Sequence, residues 1–119
     1  MSSTDVLATV EAFGAAWANH DLQAAIDLIT EDCVFDATGP APDGQRCVGR
    51  EAVEHAWLPI FSDPTSRFTP EETFALDDRA VQLWTYSWGT GATAGHIRGV
   101  DIMRVRDGKV SEKLSYVKG

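Results

Sequence analysis

Several absences bound the function before any motif is read. Of 119 residues, only two are cysteine and three are histidine. Cys33 and Cys47 match no zinc or redox spacing, so they read as free thiols of a reducing compartment rather than as a bridge. The three histidines have no short paired spacing, which argues against a metal site. Positive charge is also scarce. Ten Lys and Arg stand against 18 Asp and Glu, and a formal charge of −8 excludes the basic footprint that nucleic acid requires. No run is long and apolar enough to span a membrane. The opening MSSTDVLATV has neither the basic flank nor the apolar stretch of a secretory signal. No P-loop, dinucleotide fingerprint, nucleophile motif or internal repeat is present. The expectation is a soluble, cytoplasmic protein with no metal, no redox cofactor, no nucleic-acid partner and no membrane partner.

What is present is a helical first half and a strand-rich second half, within a length typical of a single domain, here residues 1–119. Val6, Leu7, Val10, Phe13, Gly14 and Trp17 recur at helical spacing, which predicts an amphipathic helix over 4–18. Asp21 is a good N-cap for a second helix over 22–30. Residues 33–36 read as a short strand, and the Gly- and Pro-rich 39–49 as a loop. A third helix is expected over 50–61, burying Val53, Ala56, Trp57 and Ile60, with Pro59 in its last turn. Strands follow at 67–76, 79–89, 95–106 and 109–117, joined by short turns at Asp77-Asp78 and Asp107-Gly108. Helices followed by an antiparallel meander form an α+β pattern, with the helices packed on one face of the sheet.

Strand alternation then sorts side chains by face. Gln82, Trp84, Tyr86 and Trp88 share one face of their strand. Such a stripe fills a core or lines a pocket, and its indole and phenol groups need polar partners when buried. In the next strand Ile97, Gly99, Asp101, Met103 and Val105 share a face, with His96 and the arginines opposite. Aspartate is a poor strand former, and a buried carboxylate is costly without partners. An interior Asp101 unpaired by any cation would have a pKa above the reference of ~3.9 and could serve as an acid or base near neutrality. It could equally pair with a buried Trp N–H or with a lysine such as Lys113, or face solvent. Trp17 and Trp57 are core by default and cavity wall if the fold is hollow. His55, beside the apolar stripe of the third helix, reads as surface or satisfied core. His96 has the wrong parity unless Gly95 or Gly99 hosts a bulge.

The segments FGAAWANHDLQAAIDLITEDCVFDATGP, CVGREAVEHAW and RGVDIMRVRDGKVSEKLSYV resemble the nuclear transport factor 2-like superfamily. SnoaL-like polyketide cyclases and ketosteroid isomerases are the nearest catalytic comparisons. The resemblance spans nearly the whole chain and implies three N-terminal helices held in a strongly curved, mostly antiparallel sheet. That α+β cone would enclose a deep cavity, and the proteins commonly dimerise through the outer sheet face. Asp101 matches the aspartate that donates to the oxyanion in the isomerases, and a proposed acid/base aspartate of the cyclases. The isomerases' catalytic tyrosine falls on Phe13, which donates nothing. Their catalytic base falls on Ala37, with Asp36 adjacent but on the opposite strand face unless a bulge before Gly39 turns it.

Two functions follow as expectations. In the first, Asp101, with Asp36 or His96, moves a proton beside a carbonyl or enol of an apolar cyclic or aromatic substrate, and Tyr86 stabilises an oxyanion. Phe13, Trp17, Phe35, Trp57, Trp84, Trp88, Gly99 and Met103 line the cavity. In the second, the cavity binds a ligand or partner without catalysis and Asp101 is only a polar anchor. A dimeric module with a filled core is a weaker third.

Overall fold

The computed structural model describes residues 2–118. Helix α1 (Ser3–Ala18) begins at a reciprocal cap: the Ser2 hydroxyl accepts from the Asp5 N–H, and the Asp5 carboxylate accepts from Ser2. Its inner stripe Val6, Val10, Phe13 and Trp17 is buried. Helix α2 (Leu22–Asp27) starts at Asp21, whose carboxylate accepts from the Ala24 N–H. It ends three residues before the expected Thr30, because β-branched Ile29 and Thr30 already belong to strand β1 (Ile29–Asp36). The expected short strand at 33–36 is thus the second half of a longer one. Part of the expected 39–49 loop is strand β2 (Arg46–Val48), which pairs antiparallel to β1 with Phe35 opposite Cys47. Helix α3 (Arg50–Phe61) continues through Pro59 to the expected end. Strands β3 (Arg67–Leu76), β4 (Arg79–Trp88), β5 (Gly95–Arg106) and β6 (Lys109–Val117) form the expected meander.

One six-stranded sheet results, in the order β2-β1-β6-β5-β4-β3. All neighbours are antiparallel except β1 and β6, so the sheet is mixed and mostly antiparallel. It is open, and the helices pack on one face: α1 lies across β3, β4 and β6, and α3 across β1 and β2. This is the expected α+β cone. Val6, Val10 and Phe13 of α1, Val53 and Trp57 of α3, and Met103, Val105 and Val110 of the sheet make the closed end of the core. Phe13, Trp57 and Met103, expected in a cavity wall, are core residues at 1% exposure or less. Their rings and thioether fill the space between helices and sheet.

The β5–β6 hairpin has the detail that matters most. Asp107 and Gly108 both take left-handed backbone angles (φ 53° and 78°), which suits a two-residue hairpin turn. Arg106 therefore pairs with Lys109, and Val105 with Val110. Unbroken pairing would next set Ser111 against Arg104 and Leu114 against Asp101. Instead Arg104 pairs with Glu112 and Asp101 with Ser115. A bulge at Ser111 slips the register by one, and both Val110 and Ser111 are buried. Beyond it the odd residues of β6 face inward, so Lys113 and Ser115 share a face with Asp101.

Gly99 of β5 serves packing rather than a cavity wall. A Cβ there would lie 2.7 Å from two ring carbons of Trp84 and overlap the Tyr116 carbonyl. Gly99→Ala is expected to destabilise the fold by about 1–3 kcal/mol, as overpacked sites do. Urea unfolding checks this, and an unshifted midpoint would show that the sheet yields at no cost.

Candidate functional site

The open end of the core encloses a cavity of about 300 Å³. Trp17 of α1, Ala56 and Ile60 of α3, Phe35 of β1, Phe68 of β3, Trp84 and Tyr86 of β4 and Ile97 of β5 make its largely apolar wall. Ala37, Thr38, Gln45 and Cys47 complete the side formed by β1, β2 and the segment joining them. Besides Thr38, Gln45 and the Tyr86 phenol, the polar groups come from one strand. Lys113 and Ser115 reach the cavity from β6.

Behind them lies Asp101. Its side chain is 1% exposed and that of Lys113 is 7%, so two full charges have left water. Such a pair persists only when each charge has close partners, because desolvation costs several kcal/mol per ion. Here the partners close a triangle. Lys113 Nζ lies 3.1 Å from Asp101 Oδ2 and donates to Ser115 Oγ at 2.9 Å. Ser115 Oγ donates to Asp101 Oδ1 at 2.7 Å. The ammonium also sits 4.8 Å from the Trp17 ring centroid and 4.9 Å from that of Phe35, within the range of cation–π attraction. Asp101 is thus interior but paired with a cation, so the condition for a lone, desolvated acid is not met. It stands behind the cavity floor, and Lys113 and Ser115 are the groups that reach the cavity.

The other expected site residues divide. Trp17, Phe35, Trp84 and Tyr86 line the cavity. Burial pushes the Tyr86 phenol up, while the Ser66 hydroxyl beside it pulls the other way. Ser66 Oγ in turn lies 2.9 Å from His20 Nε2. Trp88 lies outside the cavity, its indole over Gly95 and its ring 5.8 Å from that of Tyr86. Asp36 points to the outer face, because the β1 bulge falls between Ile29 and Val34 and leaves Phe35 facing inward. There Arg46 grips both carboxylate oxygens at 2.6 and 2.8 Å and holds the Asp36 carboxyl below its ordinary range. His96 is exposed, since β4 and β5 pair without interruption from Gly95 to Arg104 and no bulge turns it inward. Neither Asp36 nor His96 reaches the cavity. Cys33 is fully buried, and burial pushes its thiol up to about 12.

Lys113 and Ser115 are the functional candidates that strand reading missed as site residues. Lys113 is visible in the sequence as a possible partner for Asp101, but the slip at Ser111 that brings it inward leaves no sequence mark. Ala56 and Ile60 were legible as the inner face of α3, though not as cavity wall.

Residues 10–113 match the model of the SnoaL-like domain. No curated protein matches the chain. Among solved structures, an NTF2-like protein of unknown function from Mesorhizobium loti is 41% identical, with 98% of this chain and 93% of that one covered and a TM-score of 0.87. An LEH-like epoxide hydrolase from Mycobacterium tuberculosis is 17% identical, with 98% and 84% covered and a TM-score of 0.81. A candidate ketosteroid isomerase from Kribbella flavida DSM 17836 is 16% identical, with 98% and 80% covered and a TM-score of 0.81. At these identities the last two share the fold alone.

The buried pair generates a stability prediction. Lys113→Met leaves Asp101 charged without its cation and is expected to cost about 3–5 kcal/mol, whereas Lys113→Met with Asp101→Leu costs clearly less. Chemical denaturation of both variants, compared as a double-mutant cycle with Asp101→Leu, measures this. Additive losses would show that the two charges do not depend on each other.

Proposed function

The chain belongs to the SnoaL-like domain family of the nuclear transport factor 2-like superfamily, and on that premise we propose that it is a small-molecule enzyme of the isomerase, cyclase or lyase type. Its substrate is an apolar cyclic or aromatic molecule, and the reaction moves a proton beside that molecule's carbonyl or enol oxygen. One observation carries the reading: a buried lysine and serine, backed by a carboxylate, face an aromatic-walled cavity of about 300 Å³. A cavity of that size and lining suits a one- or two-ring compound. The Lys113 ammonium is the donor for a developing oxyanion, in surroundings where a fixed charge acts far more strongly than in water. Ser115 accepts the carbon-bound proton as its own passes to Asp101 Oδ1 across 2.7 Å. Asp101 is then a positioning and proton-accepting residue behind the floor.

A non-catalytic binder is the second reading. Ala37 stands on the cavity wall where the isomerases' base aligns, and the neighbouring Asp36 is tied up outside by Arg46. The reading places the protein in the cytoplasm, where free Cys33 and Cys47 stay reduced.

We further propose a homodimer through the outer sheet face. Phe74, Val81, Ile102 and Leu114 form one apolar row across four strands, and Leu83, Val100 and Tyr116 form the next. The ion pairs Arg98–Glu71 and Arg104–Glu112 flank these rows. A second copy turned about a twofold axis sets the apolar rows against each other.

Two measurements test these readings. 2-Tetralone in D2O is expected to lose its α-protons faster with the protein than in buffer, by NMR. The Lys113→Met/Asp101→Leu variant should remove about 10²–10³-fold of that rate. Tryptophan quenching by the tetralone without faster exchange would leave the binder, and neither effect would remove both readings. Sedimentation should give a dimer that Ile102→Lys converts to monomer, and a monomeric parent protein would remove the dimer.

A further inference from the structure

Lys113 has a second capability that hydrogen bonding does not use. The sequence has three lysines, and Lys109 and Lys118 are exposed while Lys113 is 5% exposed. We propose that Lys113 forms an imine with cyclic or aromatic aldehydes and ketones that enter the cavity. This rests on the cavity reading above and extends it from hydrogen-bonded to covalent capture.

The charge balance favours the step. Capture of a carbonyl by an ammonium gives a protonated imine and water, so one positive charge stands on the nitrogen before and after. That charge keeps the partners it already has: Asp101 Oδ2 at 3.1 Å, and the Trp17 and Phe35 rings at 4.8 and 4.9 Å. A site built to hold a buried ammonium therefore also holds a buried iminium, and no unpaired charge arises.

The proton path is equally available. A proton passes from Nζ through Ser115 Oγ, 2.9 Å away, to Asp101 Oδ1, 2.7 Å further on, which turns the buried ion pair into a neutral amine and a carboxylic acid. Removing both buried charges at once offsets much of the cost of that transfer, and the freed nitrogen is the nucleophile. The C–N bond forms as the carbonyl π pair moves onto oxygen. The Asp101 proton and one further proton from nitrogen then reach that oxygen, with the Ser115 hydroxyl linking carboxyl and cavity at 2.7 Å. Water leaves as the nitrogen lone pair completes the C=N bond. Of the three ammonium protons, two depart in the water and one stays on the iminium.

The test uses 2-naphthaldehyde with sodium cyanoborohydride on the whole protein, read by intact mass and peptide mapping. One reductive addition at Lys113 is expected, at least about 10-fold faster than at Lys109, Lys118 or the α-amino group, because the cavity holds the aldehyde against Nζ. 2-Naphthol, which fills the same space without a carbonyl, should slow labelling at Lys113 and nowhere else. Asp101→Asn should slow it by about 100-fold, the scale of a lost proton-transfer group, and Ser115→Ala by a smaller factor. Labelling spread evenly over all amines, or none at Lys113, overturns the proposal whatever the variants do. Tryptophan quenching in the same samples separates the failures. A quenched but unlabelled protein keeps the cavity and loses the imine, and an unquenched, unlabelled one loses both.

Discussion

The Lys113–Asp101 pair is the interaction on which the rest of the site depends, and it exists because β6 is out of simple register with β5. A two-residue turn alone would have turned Glu112 and Leu114 inward and Lys113 out to solvent. The bulge at Ser111 reverses that for every later residue of the strand, since a shift of one position exchanges the two faces. Two consequences follow together. Asp101 acquires its cation and its serine, and the outer face acquires Glu112 beside Arg104 and Leu114 beside Ile102. A single inserted residue thus sorts charge and apolar surface on both sides of the sheet.

The aromatic residues divide along the same axis. Trp57 touches Phe13, Trp17, Phe35 and Phe61 with ring centroids 5.0–6.3 Å apart and has no exposed surface. It anchors α3 to α1 and to the sheet. Trp17 and Phe35 belong to that cluster on one side and hold the ammonium on the other. They link the packed end of the cone to its hollow end. Gly99 makes a related provision in β5, where a missing side chain leaves room for the Trp84 ring, itself a wall residue of the cavity.

Much of the fold was legible because period-3.6 and period-2 patterns are local properties. The strands from residue 67 onward and helix α3 lie within a residue of the expected bounds. Alternation also set Asp101 on one face with Gly99 and Met103, and Trp84 with Tyr86, while the inward facing of Asp101 was what the family resemblance implied. Three things were not legible, each for a physical reason. Strand β2 spans only Arg46–Val48, too short for alternation to register. The division of Phe13, Trp17, Trp57 and Met103 between core and cavity depends on how far α1 and α3 sit from the sheet, which no single helix encodes. Lys113 was named among the possible partners of Asp101, but the choice among them depends on a bulge, and a bulge is decided by the pairing of two strands rather than by either one.

The placement of apolar residues at two positions sets this chain apart from the isomerases it resembles. Phe13, which the resemblance sets against the isomerases' tyrosine, is buried against Trp17 and Trp57. Ala37, which the resemblance sets against their base, presents only a methyl group to the cavity. An arrangement that draws its donor from α1 and its base from β1 is therefore absent at both points. The buried polar cluster lies instead on adjacent strands, where Asp101 faces Ser115 directly and Lys113 is two residues away on β6. Groups fixed on paired strands move less than groups on separate elements, because the backbone ladder sets their spacing. The cost is concentration of charge at one spot: a cation and an anion must be buried together, and only a ligand able to use the cation's free side gains from it. On the proposed reading, a neutral carbonyl compound meets that requirement better than a carboxylate does. The site's own charge is already balanced, and a second anion would be buried without a second cation.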